Sequence, residues 1–293
     1  MATVYKHYDQ EGLDKQYNAR ATVPDFSKIL KSWQQRSETF RQQVRMEHDL
    51  CYGSGERRSI DVMPAVDSGS PLLVFFHGGY WQGLGKEIFH FVAESFVEQG
   101  IAMALVNYPL APEAVMDEIV ASCRESLVYL YRHAVDYNCS ESRIFVCGHS
   151  AGGHIAAMLL ATEWTRIAAD LPPDLIKGGC ALSGLFDLEP IRLSYLNKTL
   201  GMDEPMARRS SPLHLTPGSK NPFIVSVGAM ESEEFHGQSE SLKEEWMSQG
   251  VPVKMLVVDG ANHFTMLDHL SDKKSQLHQE IVNMVSRNGE GLL

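Results

Sequence analysis

Apolar and polar positions along this chain fall into two alternating regimes. Short apolar-rich runs recur at 57–63, 72–77, 101–107, 143–147, 178–183, 223–227 and 253–258. Several are solid Val, Leu, Ile and Phe without polar alternation, the pattern of strands covered on both faces in a parallel sheet. The stretches between them, at 86–99, 113–136, 151–163, 238–249 and 268–286, read as helices. In 113–136 the apolar residues Ile119, Val120, Leu127, Leu130 and Tyr131 keep close to helical spacing. Strand–helix alternation implies right-handed crossovers and a mostly parallel, doubly wound α/β sheet with helices on both faces. Two segments break the rhythm. Residues 1–43 are polar, with a helix expected after Pro24, and 184–221 hold Pro190, Pro205, Pro212 and Pro217. Ligands of such folds bind outside the carboxyl ends of the strands. Both segments are therefore expected as small covers over that edge, within a single domain spanning 1–293.

Composition narrows the function classes. In 293 residues, 26 Lys and Arg face 37 Asp and Glu, a net charge of −11, and 44% of residues are hydrophobic. That supports a sizeable core and argues against nucleic-acid or anionic-membrane partners, which require a basic patch. No apolar run approaches the ~18 residues of a membrane span. The N-terminal residues are too polar for a secretory signal peptide. Cysteines 51, 123, 139, 147 and 180 are odd in number and form no CxxC pair. Neither a disulfide framework nor a thiolate zinc site is expected, and no HExxH or HxH spacing offers another metal. The expectation is a cytoplasmic protein with a small-molecule substrate and no cofactor; a homodimer stays open.

The chemistry concentrates at strand ends. Gly148-His149-Ser150-Ala151-Gly152 is a GxSxG motif that follows the strand RIFVC and opens the helix AGGHIAAMLLAT. A serine on such a strand–turn–helix bend is pushed out at the top of the sheet, as a nucleophile requires. A Gly-rich turn with an N-cap serine would also explain the glycines, but not the two further elements. The first is His77-Gly78-Gly79-Tyr80-Trp81, after the strand LLVFF. Glycines there leave backbone N–H groups free to meet a developing oxyanion, so Gly78, Gly79 and Ala151 are the expected donors. The second is a base. His263 lies after the last strand, VKMLVV, and is the last histidine outside a helical stretch, as the order serine, acid, histidine demands. The acid has two candidates. Glu231 sits nearest the end of the strand FIVSV, and Asp187 follows GGCALS. Glu233 and Glu234 read as a solvated helix start.

The pair HGG and GHSAGG, with Tyr108-Pro109-Leu110-Ala111-Pro112-Glu113 between them, resembles the α/β-hydrolases of the hormone-sensitive-lipase-like group. More narrowly, Leu13-Asp14-Lys15-Gln16-Tyr17-Asn18-Ala19-Arg20, HGGYW at 77–81 and Glu231-Ser232-Glu233-Glu234-Phe235-His236 resemble the kynurenine formamidase (arylformamidase) family, from about residue 8 to 270. That family usually carries Asp where Glu231 stands. The resemblance implies an α/β-hydrolase fold and cleavage of N-formyl-L-kynurenine, an aryl formamide, to L-kynurenine and formate. A triad of Ser150, His263 and Glu231 would act through a formyl-enzyme. Tyr80 and Trp81 are expected to narrow the acyl pocket, and Trp81, Phe186, Tyr195 and Phe264 are candidates to stack on the ring. Arg20 and Lys15 are candidates for the substrate carboxylate. Two alternatives stand beside this reading: a short-chain carboxylesterase, and a binding module on a disabled hydrolase scaffold.

Overall fold

The computed structural model describes residues 2–287. Eight strands form one sheet: β1 Glu47–Cys51, β2 Ser59–Met63, β3 Ser70–Phe76, β4 Ala102–Val106, β5 Cys139–His149, β6 Ile176–Leu182, β7 Phe223–Gly228 and β8 Val253–Val258. Their order across the sheet is β1-β2-β4-β3-β5-β6-β7-β8. Only the β1–β2 and β2–β4 pairs are antiparallel. From β4 onward every neighbour is parallel. The longer helices are α1 Gln10–Tyr17, α2 Phe26–Arg41, α3 Met116–Arg132, α4 Ala151–Leu160, α5 Glu233–Ser248, α6 Met266–Ser271 and α7 Gln276–Ser286.

The solid apolar strands are explained by two cores, one on each face of the sheet. In β3, Leu72, Val74 and Phe76 point to a core shared with α3 and α4. Leu73 and Phe75 point to the opposite core, shared with α2, α6 and α7. With both faces apolar, alternation disappears from the sequence.

Four expectations need correction. The strand β1 is absent from the sequence reading, because EHDLC is an edge strand whose side chains are mostly exposed. The helix expected at 86–99 is two 3-10 turns, Lys86–Ile88 and His90–Ala93, and one short helix, Glu94–Val97. Lys86 and His90 there are drawn inward onto Asp61, with Lys86 Nζ 3.0 Å and His90 Nε2 2.7 Å from its carboxylate oxygens. The helix expected at 268–286 divides into α6 and α7 where Ser275 caps the second, its side chain accepting from the His278 N–H. The helix expected at 238–249 begins earlier, at Glu233.

Candidate active site

Five parallel strands deliver their carboxyl ends to one edge. β3 runs into His77-Gly78-Gly79, β5 into Ser150, β6 into Ser183, β7 into the turn holding Glu231, and β8 into the loop holding His263. A cavity of about 370 Å³ opens there, within the range of ligand pockets. Ser150, His263, Gly78, Gly79, His149, Tyr80 and Phe264 line it, with Tyr17, Arg20, Phe26 and Trp33 from the N-terminal segment.

Ser150 stands at φ 59°, ψ −120°, a conformation that ordinary residues avoid. Its N–H donates to the Leu182 carbonyl at 2.8 Å. The bend is possible because the chain crosses itself without side chains. A Cβ on Gly148 would stand 2.0 Å from the Gly152 carbonyl oxygen, and one on Gly152 would stand 1.9 Å from that of Phe76. Both are far inside contact distance, so larger residues at either position would displace backbone.

His263 Nδ1 lies 2.7 Å from Glu231 Oε2. Both side chains are almost fully buried. The other carboxylate oxygen accepts from Ser183 Oγ at 2.6 Å and from the Gly228 N–H at 2.7 Å. Burial pushes the Glu231 carboxyl up, but the His263 imidazole and the hydrogen bonds from His263, Ser183 and Gly228 outweigh it, holding the group below its ordinary range. An ionised carboxylate can only accept, so the proton of neutral His263 sits on Nδ1 and leaves Nε2 with its lone pair. His149 packs its ring 4.8 Å from that of His263 and donates from Nε2 to the His263 carbonyl at 2.7 Å. Burial, then the charge His263 can carry, lowers the His149 pKa to about 3, so His149 stays neutral at physiological pH.

The loop after β3 is held by its carbonyl groups. Tyr108 Oη donates to the His77 carbonyl at 2.6 Å, and His77 Nδ1 donates to the Gly78 carbonyl at 2.8 Å. In a trans peptide the N–H points opposite to the C=O. Tying these two carbonyls therefore turns the N–H groups of Gly78 and Gly79 the other way. Neither they nor the Ala151 N–H meet an acceptor among the described residues. The His77 ring is stacked on Tyr108, centroids 4.4 Å apart, and on Phe89 at 5.8 Å. Burial lowers its pKa to about 4, so it remains a neutral donor.

The structure separates the remaining candidates. Asp187 lies away from His263: it accepts the Glu189 N–H at 3.0 Å and stands 3.6 Å from His214 Nε2. Trp81 does not line the cavity. Both Tyr80 and Trp81 have positive φ, 51° and 56°, and this double turn sends Trp81 into the core, fully buried and edge-on to His154 at 4.9 Å. Tyr80 keeps the cavity side and donates to the Tyr17 carbonyl at 2.6 Å. Phe186 is buried in the core, whereas Tyr195 reaches the cavity wall. Arg20 lines the cavity and Lys15 does not. Ser183 and Tyr108 are additions that sequence reasoning misses. A serine after a strand carries no signal of its own, and Tyr108 was legible only as part of the YPLAPE motif. Among the described residues no group of three or more His, Cys, Asp or Glu side chains could hold a metal ion.

A family model described as BD-FAE matches residues 60–178. Among solved structures, one from Silicibacter sp. tm1040, described as a candidate thioesterase, superposes with a TM-score of 0.81 at 27% identity, covering 90% of this chain and 97% of its own. The carboxylesterase EstE1 superposes at 0.67 and 17% identity over 91% of this chain and 97% of its own, a likeness of α/β-hydrolase fold. The kynurenine formamidases of Danio rerio and Salmo salar are each 33% identical, with 97% of this chain and 99% of the relative aligned. With nearly the whole length shared at that identity, and with the fold and strand-end geometry described above, the chain belongs to the kynurenine formamidase family.

Proposed function

We propose that this chain hydrolyses N-formyl-L-kynurenine to L-kynurenine and formate, with Ser150 as nucleophile, His263 as general base and acid, and Glu231 as the orienting carboxylate. The observation that carries the reading is a convergence at one sheet edge: Ser150 on its strained bend, and His263 paired with a buried Glu231, both lining the same cavity. His263 Nε2 takes the Ser150 proton as Oγ attacks the formyl carbon. The oxyanion is met by the N–H groups of Gly78, Gly79 and Ala151. Collapse expels the aromatic amine, which leaves carrying the proton from His263. Water then attacks the formyl-enzyme, His263 takes its proton, and formate departs with Ser150 restored. The amine lone pair is spread into its ring, which makes this amide easier to attack than an alkyl amide. A row of Phe26, Phe264 and His263 rings, with centroids 4.7 and 5.3 Å apart, offers an apolar wall for that ring.

The whole chain is read as one catalytic unit, with residues 1–43 and 184–221 as its cover. No helix among the described residues is long and apolar enough to cross a membrane. Five free cysteines, four of them buried, suit a reducing compartment, which supports a cytoplasmic enzyme. The test is steady-state kinetics on N-formylkynurenine beside p-nitrophenyl acetate and butyrate. N-formylkynurenine is expected to give the highest kcat/KM, and its N-acetyl analogue to be at least ~10-fold slower, since a badly placed methylene costs about 1–3 kcal/mol. Butyrate esters outperforming the formamide would turn the assignment to a carboxylesterase.

A further inference from the structure

We propose that the rim of the cavity is a carboxylate subsite built by Arg20, which receives the amino-acid carboxylate of the substrate; this rests on the reading of the chain as an aryl formamidase. Among the described residues lining the cavity, Arg20 is the one Lys or Arg, and no Asp or Glu is present. Arg20 makes no ion pair among the described residues; its guanidinium lies over the Phe26 ring, 4.7 Å from the centroid.

That contact extends the aromatic wall. Arg20, Phe26, Phe264 and His263 follow one another along one side, from the rim to the base beside Ser150. The substrate has the same order of chemistry: a formamide, an aromatic ring, and an amino-acid end carrying the carboxylate. With the formyl carbon at Ser150 and the ring along Phe264 and Phe26, the carboxylate meets the guanidinium, whose planar fork matches it in a bidentate contact. The backbone under Arg20 is fixed by a 3-10 turn, Ala19–Thr22, in which Asn18 Oδ1 accepts the Ala21 N–H at 3.2 Å. Because Arg20 is exposed, its charge stays hydrated when the cavity is empty and is not stranded by burial. With no acidic side chain in the wall, the substrate ammonium is left to water. The subsite therefore selects for the carboxylate rather than for the whole zwitterion.

The experiment compares wild type, Arg20→Gln and Arg20→Lys on two substrates: N-formylkynurenine, and 2-formamidoacetophenone, which keeps the ring, formamide and ketone but lacks the amino-acid end. The readout is the ratio of the two kcat/KM values, with thermal denaturation confirming folding. Arg20→Gln is expected to lower the ratio about ten-fold, mainly through KM for N-formylkynurenine, and Arg20→Lys to recover part of it, since a charge remains but the fork does not. The KM of wild type for N-formylkynurenine should also rise with ionic strength more steeply than that of Arg20→Gln. A ratio unchanged within two-fold, or equal losses on both substrates, would overturn the subsite while leaving the formamidase reading intact. Cleavage of neither substrate by wild type would overturn both.

Discussion

Replacing Glu231 by Gln keeps the shape of the side chain and tests its charge and its proton bookkeeping. Its two oxygens face different donors: Ser183 Oγ and the Gly228 N–H on one, His263 Nδ1 on the other. A glutamine offers one acceptor and one NH₂ group, so one side must lose. Turning the NH₂ toward Gly228 sets two donors against each other, and the backbone N–H cannot rotate away; a buried unsatisfied N–H costs about 1–3 kcal/mol. The carbonyl therefore stays with Gly228 and Ser183, whose hydroxyl still donates, and the NH₂ faces His263. Nδ1 must then accept, and the ring proton moves to Nε2, the atom that takes the Ser150 proton in the proposed mechanism. Loss of the useful tautomer, with loss of the charge that steadies the imidazolium, is expected to lower kcat by ~10³–10⁴-fold. The assay is kcat on N-formylkynurenine at the pH plateau, with ¹⁵N NMR of the His263 ring reporting which nitrogen carries the proton. A folded variant with a loss under ten-fold, or an equal loss in Asp187→Asn, would refute the reasoning.

Other variants probe separate parts of the molecule. Ser150→Ala should fold normally and lose ~10⁴–10⁶-fold in kcat, measured on the same substrate; retention of a tenth of the activity would remove Ser150 from its role. Tyr108→Phe frees the His77 carbonyl, and a lost buried hydrogen bond of about 1–3 kcal/mol should appear as a ~5–150-fold fall in kcat with KM little changed. In Trp81→Phe no hydrogen bond is lost, because Nε1 is unpartnered among the described residues, so the cost is packing alone, about 1–3 kcal/mol by urea unfolding; a two-fold or greater rise in KM would show that Trp81 touches substrate after all. Asp61 is pushed up by burial but more strongly down by the His90 hydrogen bond, the Asp49 N–H and Lys86, from 3.8 to about 2. Its folded value lies below its unfolded one, so it adds stability above pH ~4 that is lost as pH falls toward 2, about 2 kcal/mol in all. The stability gap between wild type and Asp61→Asn should shrink by that amount between pH 6 and pH 2; a constant gap would contradict it.

The central sheet was legible because each parallel strand is covered twice and so advertises itself as an unbroken apolar run. The same rule hides β1, whose half-polar EHDLC faces solvent. The serine bend was legible because Gly148 and Gly152 are required by contacts under 2.1 Å that no other residue tolerates. Sequence placed Glu231 ahead of Asp187 only by its nearness to a strand end, since both follow strands; burial, the His263 contact and two extra donors set Glu231 apart in three dimensions. Trp81 was misplaced for a backbone reason. Residue type suggested a cavity wall, but two consecutive left-handed residues reverse the direction of the side chain, and no aromatic residue announces a positive φ. The broken helix at 86–99 has a similar origin: long-range attraction of Lys86 and His90 to Asp61 overrides local preference.

The N-terminal segment that supplies Tyr17, Arg20, Phe26 and Trp33 to the cavity has a consequence for the order of assembly during synthesis. Its anchors lie near the other end of the chain: Ser232 Oγ bonds the Gln16 carbonyl across 216 residues, and Tyr17 Oη bonds Glu234 across 217. At translation rates of about 5–20 residues per second, the first helix waits on the order of 10–40 s for those partners to leave the ribosome. The sheet must close before this segment has anywhere to dock, and the loop it closes is among the longest the chain can form. The ribosome therefore releases the wall of the cavity first and the molecule completes it last. A nascent chain truncated before residue 231 would lack both anchors and His263, and so hold no complete cavity.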